Sequence, residues 1–226
     1  MDFKSTKEVS SSRFLAVLVG PSGIGKTSQV RFLPEEETLI LSAEAGLLCL
    51  HGTNYAVAEI KSSDDLMEVY EFLTKDPPKF KYIFIDSLTE IMKILLEEKK
   101  NDPKYQDPKY TRNMYGDYGE LGIKIIKVFR DLTQYSVIFT CLDELDKDGV
   151  MTIEDYNIPG QMIKKDLKSL FDLVLHMKIH KDVETGEPKR VFLTDESVSR
   201  LAKDRSGKLE LIEDANLGSI INKVLG

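Results

Sequence analysis

The most informative part of the sequence is Phe14-Leu-Ala-Val-Leu-Val19 followed by Gly20-Pro-Ser-Gly-Ile-Gly-Lys-Thr27. The unbroken apolar run, bounded by glycine, predicts a buried strand over 14–19. The residues after it match the pattern G-x-x-x-x-G-K-[ST] at every position. A helix from Lys26 to Leu33, ended by Pro34, is predicted to follow. Strand, glycine-rich turn and helix, in this order, form the setting in which that pattern binds phosphate.

The chemistry of this loop is specific. Glycines allow backbone N–H groups to curl around phosphate oxygens, and the start of a helix adds positive potential. Lys26 is predicted to reach the β and γ phosphates of a nucleotide, and the Thr27 hydroxyl to ligate Mg²⁺. The residues predicted to bind the nucleotide are Gly20, Pro21, Ser22, Gly23, Ile24, Gly25, Lys26, Thr27 and Ser28. The alternative interpretation is a glycine-rich turn of a Rossmann-like fold.

The rest of the chain alternates short apolar runs with longer amphipathic segments. Nearly continuous apolar strands separated by helices are typical of a parallel sheet covered on both faces, so the fold class is α/β. Towards the end, Leu173–His180 and Arg190–Thr194 flank a turn and predict a β-hairpin extension. The other predicted strands are 38–42, 56–60, 82–85 and 137–142, and the predicted helices are 63–74, 88–100, 116–132 and 217–225.

Two acidic residues follow predicted strands. Asp86 ends the run Tyr-Ile-Phe-Ile and is predicted to hold Mg²⁺ through water. Glu44 lies just beyond the strand at 38–42, where a carboxylate beside the phosphate loop can orient an attacking water. The alternative for Glu44 is a solvated loop residue.

A third candidate is the pair Lys203 and Arg205. If the segment is extended, residues two apart project to the same side. Two adjacent cations could then reach a phosphate bound by a neighbouring subunit and stabilise charge in the transition state. The alternative is a solvated surface pair.

Composition narrows the class of protein. The chain has 226 residues and a formal charge of −7, which argues against coating nucleic acid by bulk charge. The sequence contains no apolar run of membrane-spanning length, and Cys49 and Cys141 form no CxxC pair, so a reducing compartment, the cytoplasm, is expected. A GTPase is disfavoured because Asp143-Glu-Leu-Asp replaces a base-reading motif. A small-molecule kinase is disfavoured because the seven arginines are scattered.

Four runs together carry a resemblance to a known family: GPSGIGKTS (20–28), LSAEAGL (41–47), YIFIDSLTE (82–90) and AKDRSG (202–207). With these runs, the chain resembles the RecA-like P-loop ATPases found as phage single-strand annealing or recombination proteins. Residues 1–12 are rich in Ser, Lys and Glu with no apolar period, which predicts a flexible tail. The resemblance covers nearly the whole of the remaining chain and implies a single RecA-like ATPase domain at 13–226. It also implies ATP with Mg²⁺, Glu44 as the catalytic acid, and Lys203 with Arg205 acting in trans within a ring or filament. Single-stranded DNA is the implied partner, with annealing or homologous recombination as the outcome.

One position departs from this family. Relatives often place a His or Gln near the end of the fourth strand to sense the γ-phosphate, and the corresponding residue here is Leu142, with Thr140 as a substitute. This departure bears on how hydrolysis is coupled to DNA binding. A nucleotide-dependent adaptor or loader that acts on protein partners stays open as an alternative function.

Three further patterns in the sequence are less specific than the phosphate loop. The segment 101–118 interleaves lysines and arginine with tyrosines, Tyr105 and Tyr110 among them, which is typical of single-strand binding, although these residues could merely cover a helix start. The acidic run 144–155 imitates a calcium loop, but Asp148-Gly149 more simply predicts a hairpin turn. His176 and His180 would share one face of a strand, where packing is expected rather than metal binding.

Overall fold

The computed structural model describes residues 13–226 except 45, 76–78, 149–150 and 183–184, so the predicted tail at 1–12 lies outside it. The strands are β1 Leu15–Gly20, β2 Thr38–Ser42, β3 Ala56–Glu59, β4 Tyr82–Asp86, β5 Ser136–Asp148, β6 Met151–Tyr156, β7 Leu173–Lys181, β8 Pro188–Leu193, β9 Lys203–Asp204 and β10 Ile212–Asp214. The α-helices are α1 Ser63–Lys75, α2 Leu88–Asn101, α3 Thr111–Arg130, α4 Gln161–Leu170 and α5 Leu217–Leu225.

The sheet has the strand order β10-β8-β7-β1-β5-β4-β2-β3. From β3 to β7 all neighbouring strands are parallel, while β8 and β10 add antiparallel pairs at one side. Strand β6 pairs with the extended end of β5, and β9 pairs with the start of β7. The predicted α/β class, with a mostly parallel sheet and a C-terminal hairpin, is confirmed.

Alternation along β1 divides the core between the two faces of the sheet. Leu15, Val17 and Val19 pack on the face covered by α1 to α4, and Ala16 and Leu18 pack on the face covered by α5. All of these side chains are buried. The central strands are therefore apolar on both sides, which is why they appear in the sequence as continuous rather than alternating runs.

Several element boundaries differ from the predicted ones. The helix after the phosphate loop is a 3₁₀ helix, Thr27–Phe32, and β5 continues six residues past the predicted end at 142. The segment 101–115, which precedes the helix predicted at 116–132, contains two 3₁₀ turns and the start of α3 at Thr111. Each turn begins with an aspartate whose side chain accepts a backbone N–H, followed by proline, so the repeated Asp-Pro-Lys-Tyr supplies its own capping.

Within the described residues, none of the helices combines the length and the apolar character that crossing a bilayer requires.

Candidate nucleotide site

The phosphate loop leaves the carboxyl end of β1 at the centre of the parallel sheet. A Cβ atom at Gly20 would lie 2.8 Å from the carbonyl oxygen of Met177 on the neighbouring strand, so only glycine fits there. Gly25 has φ +105°, a backbone conformation that side-chain-bearing residues rarely adopt. Both glycines are therefore required by the shape of the loop.

Lys26 lies folded over this loop and is 8% exposed. Its Nζ donates to the carbonyl oxygens of Gly20 at 2.7 Å and Pro21 at 2.9 Å. Burial lowers the pKa of Lys26, and this effect outweighs the opposing influence of acidic groups that include Asp143, Asp86 and Glu44. A buried ammonium within a glycine-rich loop favours an anionic ligand, because the anion compensates the lost hydration of the cation.

Thr27 and Asp86 are brought together, as the sequence predicts. The Thr27 hydroxyl donates to Oδ2 of Asp86 at 2.8 Å, and the Thr140 hydroxyl donates to the other carboxylate oxygen. Asp86 is 3% exposed. A hydroxyl and a carboxylate at this distance are the hard oxygen donors that Mg²⁺ prefers, so the residues fit the metal that the loop implies.

Glu44 lies at the neighbouring strand end, because β2 and β4 pair in parallel with Ser42 opposite Asp86. Its carboxylate accepts a hydrogen bond from the Ser87 hydroxyl, and its backbone N–H donates to the Asp86 carbonyl at 3.3 Å. Its side chain lines a cavity of about 750 Å³ together with residues of the segment 46–61. Glu44 is thus held in a defined position beside Asp86, as a water-orienting carboxylate must be.

Lys203 and Arg205 are not part of this constellation. They lie in or beside β9, which pairs with the start of β7. Because β7 runs parallel to β1, the start of β7 lies at the opposite end of the strands from the phosphate loop, which follows the carboxyl end of β1. Lys203 Nζ donates to the carbonyls of Lys168 and Phe171, and Arg205 donates to Asp172 at 2.6 Å. Burial, followed by the neighbouring charge of Arg205, lowers the pKa of Lys203. Within their own chain, both side chains hold the carboxyl end of α4.

Asp143 follows Leu142, the position that corresponds to the γ-phosphate sensor, and takes part in a network of charged side chains. Leu142 donates its backbone N–H to Thr89 Oγ1, and Thr140 is committed to Asp86. Asp143 accepts from His176 and Lys178, each at 3.3 Å. Burial acts to raise the pKa of Asp143, but these two partners outweigh it, and the pKa is lowered.

His176 is completely buried within this network, and its Nδ1 lies 2.6 Å from Ser199 Oγ. Over the described part of the chain, no three His, Cys, Asp or Glu side chains are placed to hold a metal ion. The calcium-like run forms the antiparallel hairpin β5–β6, in which Asp143 pairs with Tyr156 and Asp148 with Met151; the predicted turn residues 149–150 lie outside the described residues.

The candidate DNA segment divides into buried and exposed residues. Tyr105 is 7% exposed and bonds to Asp117, and Tyr118 is buried and donates to the Pro159 carbonyl. Tyr110 and Tyr115 are 41% and 44% exposed. A role for Tyr105 in stacking bases is therefore wrong, because its ring packs in the core.

Two residues beside the site, Ser87 and Arg190, were not predicted from the sequence. Ser87 donates to Glu44 and also accepts the backbone N–H of Glu90, so it both positions the carboxylate and caps α2. The pattern Ser87-Leu-Thr-Glu90 is a recognisable capping signal, but its link to Glu44 spans 43 residues of sequence. Arg190 of β8 lies beside Gly25, and nothing in its local sequence indicates this.

Comparison with known proteins agrees with this geometry. A family model described as AAA domain matches residues 13–206. No curated protein matches the chain. The matched span includes the phosphate loop, Glu44, Asp86 and the pair at 203 and 205.

Proposed function

The chain belongs to the AAA domain family of P-loop nucleotide-binding ATPases, and we propose that it is a Mg²⁺-dependent ATPase that binds single-stranded DNA and promotes annealing or recombination. The observation that carries the ATPase proposal is the assembly of Lys26, Thr27, Asp86 and Glu44 at one edge of the sheet. These residues come from three separate strand ends.

Each of these side chains has a role in hydrolysis. Glu44 orients a water molecule and accepts its proton as the water oxygen bonds to the γ-phosphorus. The bond between that phosphorus and the β–γ bridging oxygen breaks, which leaves ADP and inorganic phosphate. Lys26 turns from the Gly20 and Pro21 carbonyls towards the phosphate oxygens and stabilises the developing charge. Bound Mg²⁺ would neutralise phosphate charge, with Thr27 and Asp86 holding it.

Assembly into a ring or filament is the second part of the proposal. Lys203 and Arg205 lie at the sheet edge opposite the phosphate loop, so they cannot serve the site of their own chain. Arg205 retains 56% side-chain exposure despite its ion pair with Asp172. A neighbouring subunit stacked head-to-tail would bring its own phosphate loop to the exposed Arg205 and the partly buried Lys203, and head-to-tail interfaces give rings or filaments.

Single-stranded DNA is proposed from the resemblance of the four sequence runs and from one surface. The exposed residues of that surface are Lys109, Tyr110, Arg112 and Tyr115. Cations that follow a phosphate backbone, interleaved with aromatic rings that stack on bases, are typical of sequence-independent single-strand binding.

A second function is favoured by a specific observation. The hairpin β5–β6 carries Asp143, Glu144, Glu154 and Asp155 beside the nucleotide site, where they face the cations Lys164 and Lys178 and the ring of His176. Because these cations are already paired, the described side chains of the hairpin leave no free positive charge to attract a phosphate backbone. A nucleotide-dependent adaptor or loader that binds protein partners fits this surface better.

The decisive experiment measures ATP turnover of the purified chain with and without single-stranded DNA, at several Mg²⁺ concentrations. DNA-stimulated turnover, together with a larger assembly in light scattering, supports the annealing function. Slow turnover that DNA leaves unchanged supports the adaptor. Lys26→Ala is the control for contaminating ATPases, and hydrolysis retained in that variant means that the phosphate loop is not the site.

A further inference from the structure

A second cavity, of about 800 Å³, lies against the phosphate loop on the side of the β7–β8 hairpin. Its lining includes Gly23, Gly25 and Ser28 from the loop and the helix after it, and Ile179 and Arg190 from the hairpin. The cavity beside Glu44 contains none of the loop residues among its lining. A nucleotide whose phosphates occupy the loop therefore finds the second cavity directly adjoining it.

Arg190 lines this cavity and lies beside the loop. A Cβ atom built on Gly25 would lie 3.7 Å from Nε of Arg190 and 3.8 Å from its Cδ. Across the described ranges of the chain, the Arg190 guanidinium makes no hydrogen bond and no ion pair. An arginine has five N–H donors in a planar fork, so this group has its full donor capacity available beside the loop.

The other basic residues near this cavity are already engaged. Arg31 donates to the carbonyl of Cys49 at 2.9 Å. Lys189, next to Arg190 in β8, forms ion pairs with Asp182 at 3.5 Å and Asp214 at 3.3 Å. Among the described basic residues that line this cavity, Arg190 is thus the one whose side chain has no partner, and it lies beside the phosphate loop.

We propose that Arg190 is a phosphate-positioning residue that acts in cis, gripping the bound nucleotide from the hairpin side while Lys26 approaches it from within the loop. The proposal rests on the nucleotide-binding function proposed above. A guanidinium matches phosphate oxygens with two parallel N–H bonds, which a lysine cannot provide. The ribose and base then extend between Phe32 and Ile179, apolar side chains that line the same cavity and are 45% and 63% exposed.

This assignment differs from the role proposed for Lys203 and Arg205. Those cations act on a neighbour's nucleotide and require assembly, whereas Arg190 belongs to the same chain as the loop it faces. Affinity for a product nucleotide, measured on the unassembled chain, therefore depends on Arg190 and is independent of Arg205.

The test is calorimetric titration of the full chain with ADP and Mg²⁺, at protein concentrations where the chain is monomeric. Arg190→Ala is expected to weaken ADP binding at least about tenfold, which is the lower end for losing a hydrogen bond to a charged group. Arg190→Lys is expected to recover only part of the loss, because the ammonium lacks the fork. Lys189→Ala, with the same change in charge one residue away, is the matched control and is expected to stay within about twofold.

The outcomes separate the two proposals. If the wild-type chain binds neither ADP nor ATP, the nucleotide function itself fails. If the wild type binds and Lys26→Ala does not, but Arg190→Ala binds as tightly as wild type, only the role of Arg190 is overturned. Equal losses in Arg190→Ala and Lys189→Ala would also overturn it, since they would reflect general charge and not contact. Thermal denaturation without nucleotide checks that each variant is folded.

Discussion

The Thr27 hydroxyl donates a 2.8 Å hydrogen bond to the Asp86 carboxylate across 59 residues of sequence. This bond joins the phosphate loop to the end of β4 and aligns the two oxygen donors for Mg²⁺. Asp86→Asn keeps the size of the side chain but removes its charge. We expect the Mg²⁺ affinity of the nucleotide complex to fall about 10–100-fold, as for other residues that hold a metal through water. Magnesium titration of ATP turnover measures this loss.

Thr140→Val is the control for this variant. It removes the other hydroxyl donor to Asp86 and should lower the free energy of unfolding by about 1.5–3 kcal/mol, the range for a hydrogen bond to a charged group. It should leave the Mg²⁺ dependence of turnover in place. A normal magnesium profile in Asp86→Asn would exclude Asp86 from the metal site.

Glu44→Gln should retain nucleotide binding while slowing turnover, because the amide cannot accept the proton of the attacking water.

Ser87→Ala should also lower kcat with little change in nucleotide affinity, since Glu44 loses the hydroxyl that holds it. The same variant should lower the free energy of unfolding by about 1 kcal/mol through loss of the α2 cap. Single-turnover kinetics separate a slower chemical step from a change in nucleotide binding. Reduced nucleotide affinity in Glu44→Gln would give this residue a structural role.

Arg205→Ala tests the action in trans. Its exposed ion pair with Asp172 contributes at most about 1 kcal/mol to stability, so folding should survive. Loss of an arginine supplied by a neighbour lowers the rate by about 10³–10⁵ in phosphoryl transfer. Mixing Arg205→Ala with Lys26→Ala should restore part of the turnover, because some interfaces then join an intact loop to an intact Arg205. Absence of recovery, with co-assembly confirmed by light scattering, would contradict this mechanism.

Two sets of variants separate DNA contacts from packing in the segment 101–118. Replacing Lys109, Tyr110 and Tyr115 by Ala should weaken single-strand binding by about 1–3 kcal/mol per stacked base. It should also lower the salt dependence of binding. Fluorescence anisotropy with a labelled oligonucleotide measures both effects. Tyr105→Phe, which loses the hydroxyl bonds to Asp117 and Lys104, is the matched control and should bind DNA normally. Unchanged binding in the triple variant would move the DNA site elsewhere.

The two cysteines should react at different rates with a thiol reagent. Burial raises the pKa of Cys141 to about 12, so its reactive thiolate is scarce near neutral pH, and the side chain is inaccessible. Cys49 is partly exposed. Labelling at pH 8 should modify one thiol quickly and the second only on unfolding, and Cys49→Ser should abolish the fast phase. Two fast thiols in the native protein would contradict the buried position of Cys141.

Local sequence was sufficient for the phosphate loop and for the strands that carry it. The residues of the loop pattern, 20–28, are adjacent in sequence, so the loop and its phosphate-binding groups form together once the strand before them is buried. The central strands were predictable for a related reason: burial on both faces makes them continuous apolar runs. The position of Asp86 and Glu44 beside the loop was predictable because the carboxyl ends of parallel strands lie at the same end of the sheet.

Only the tertiary structure decided which distant side chains meet. Ser87 reaches Glu44, His176 reaches Asp143, and Arg190 faces Gly25 because of strand register. Tyr105 and Tyr110 have the same local sequence, Asp-Pro-Lys-Tyr, yet one ring is buried and the other exposed. The physical reason is that a short pattern sets backbone conformation, whereas burial and pairing depend on which surface that backbone is packed against.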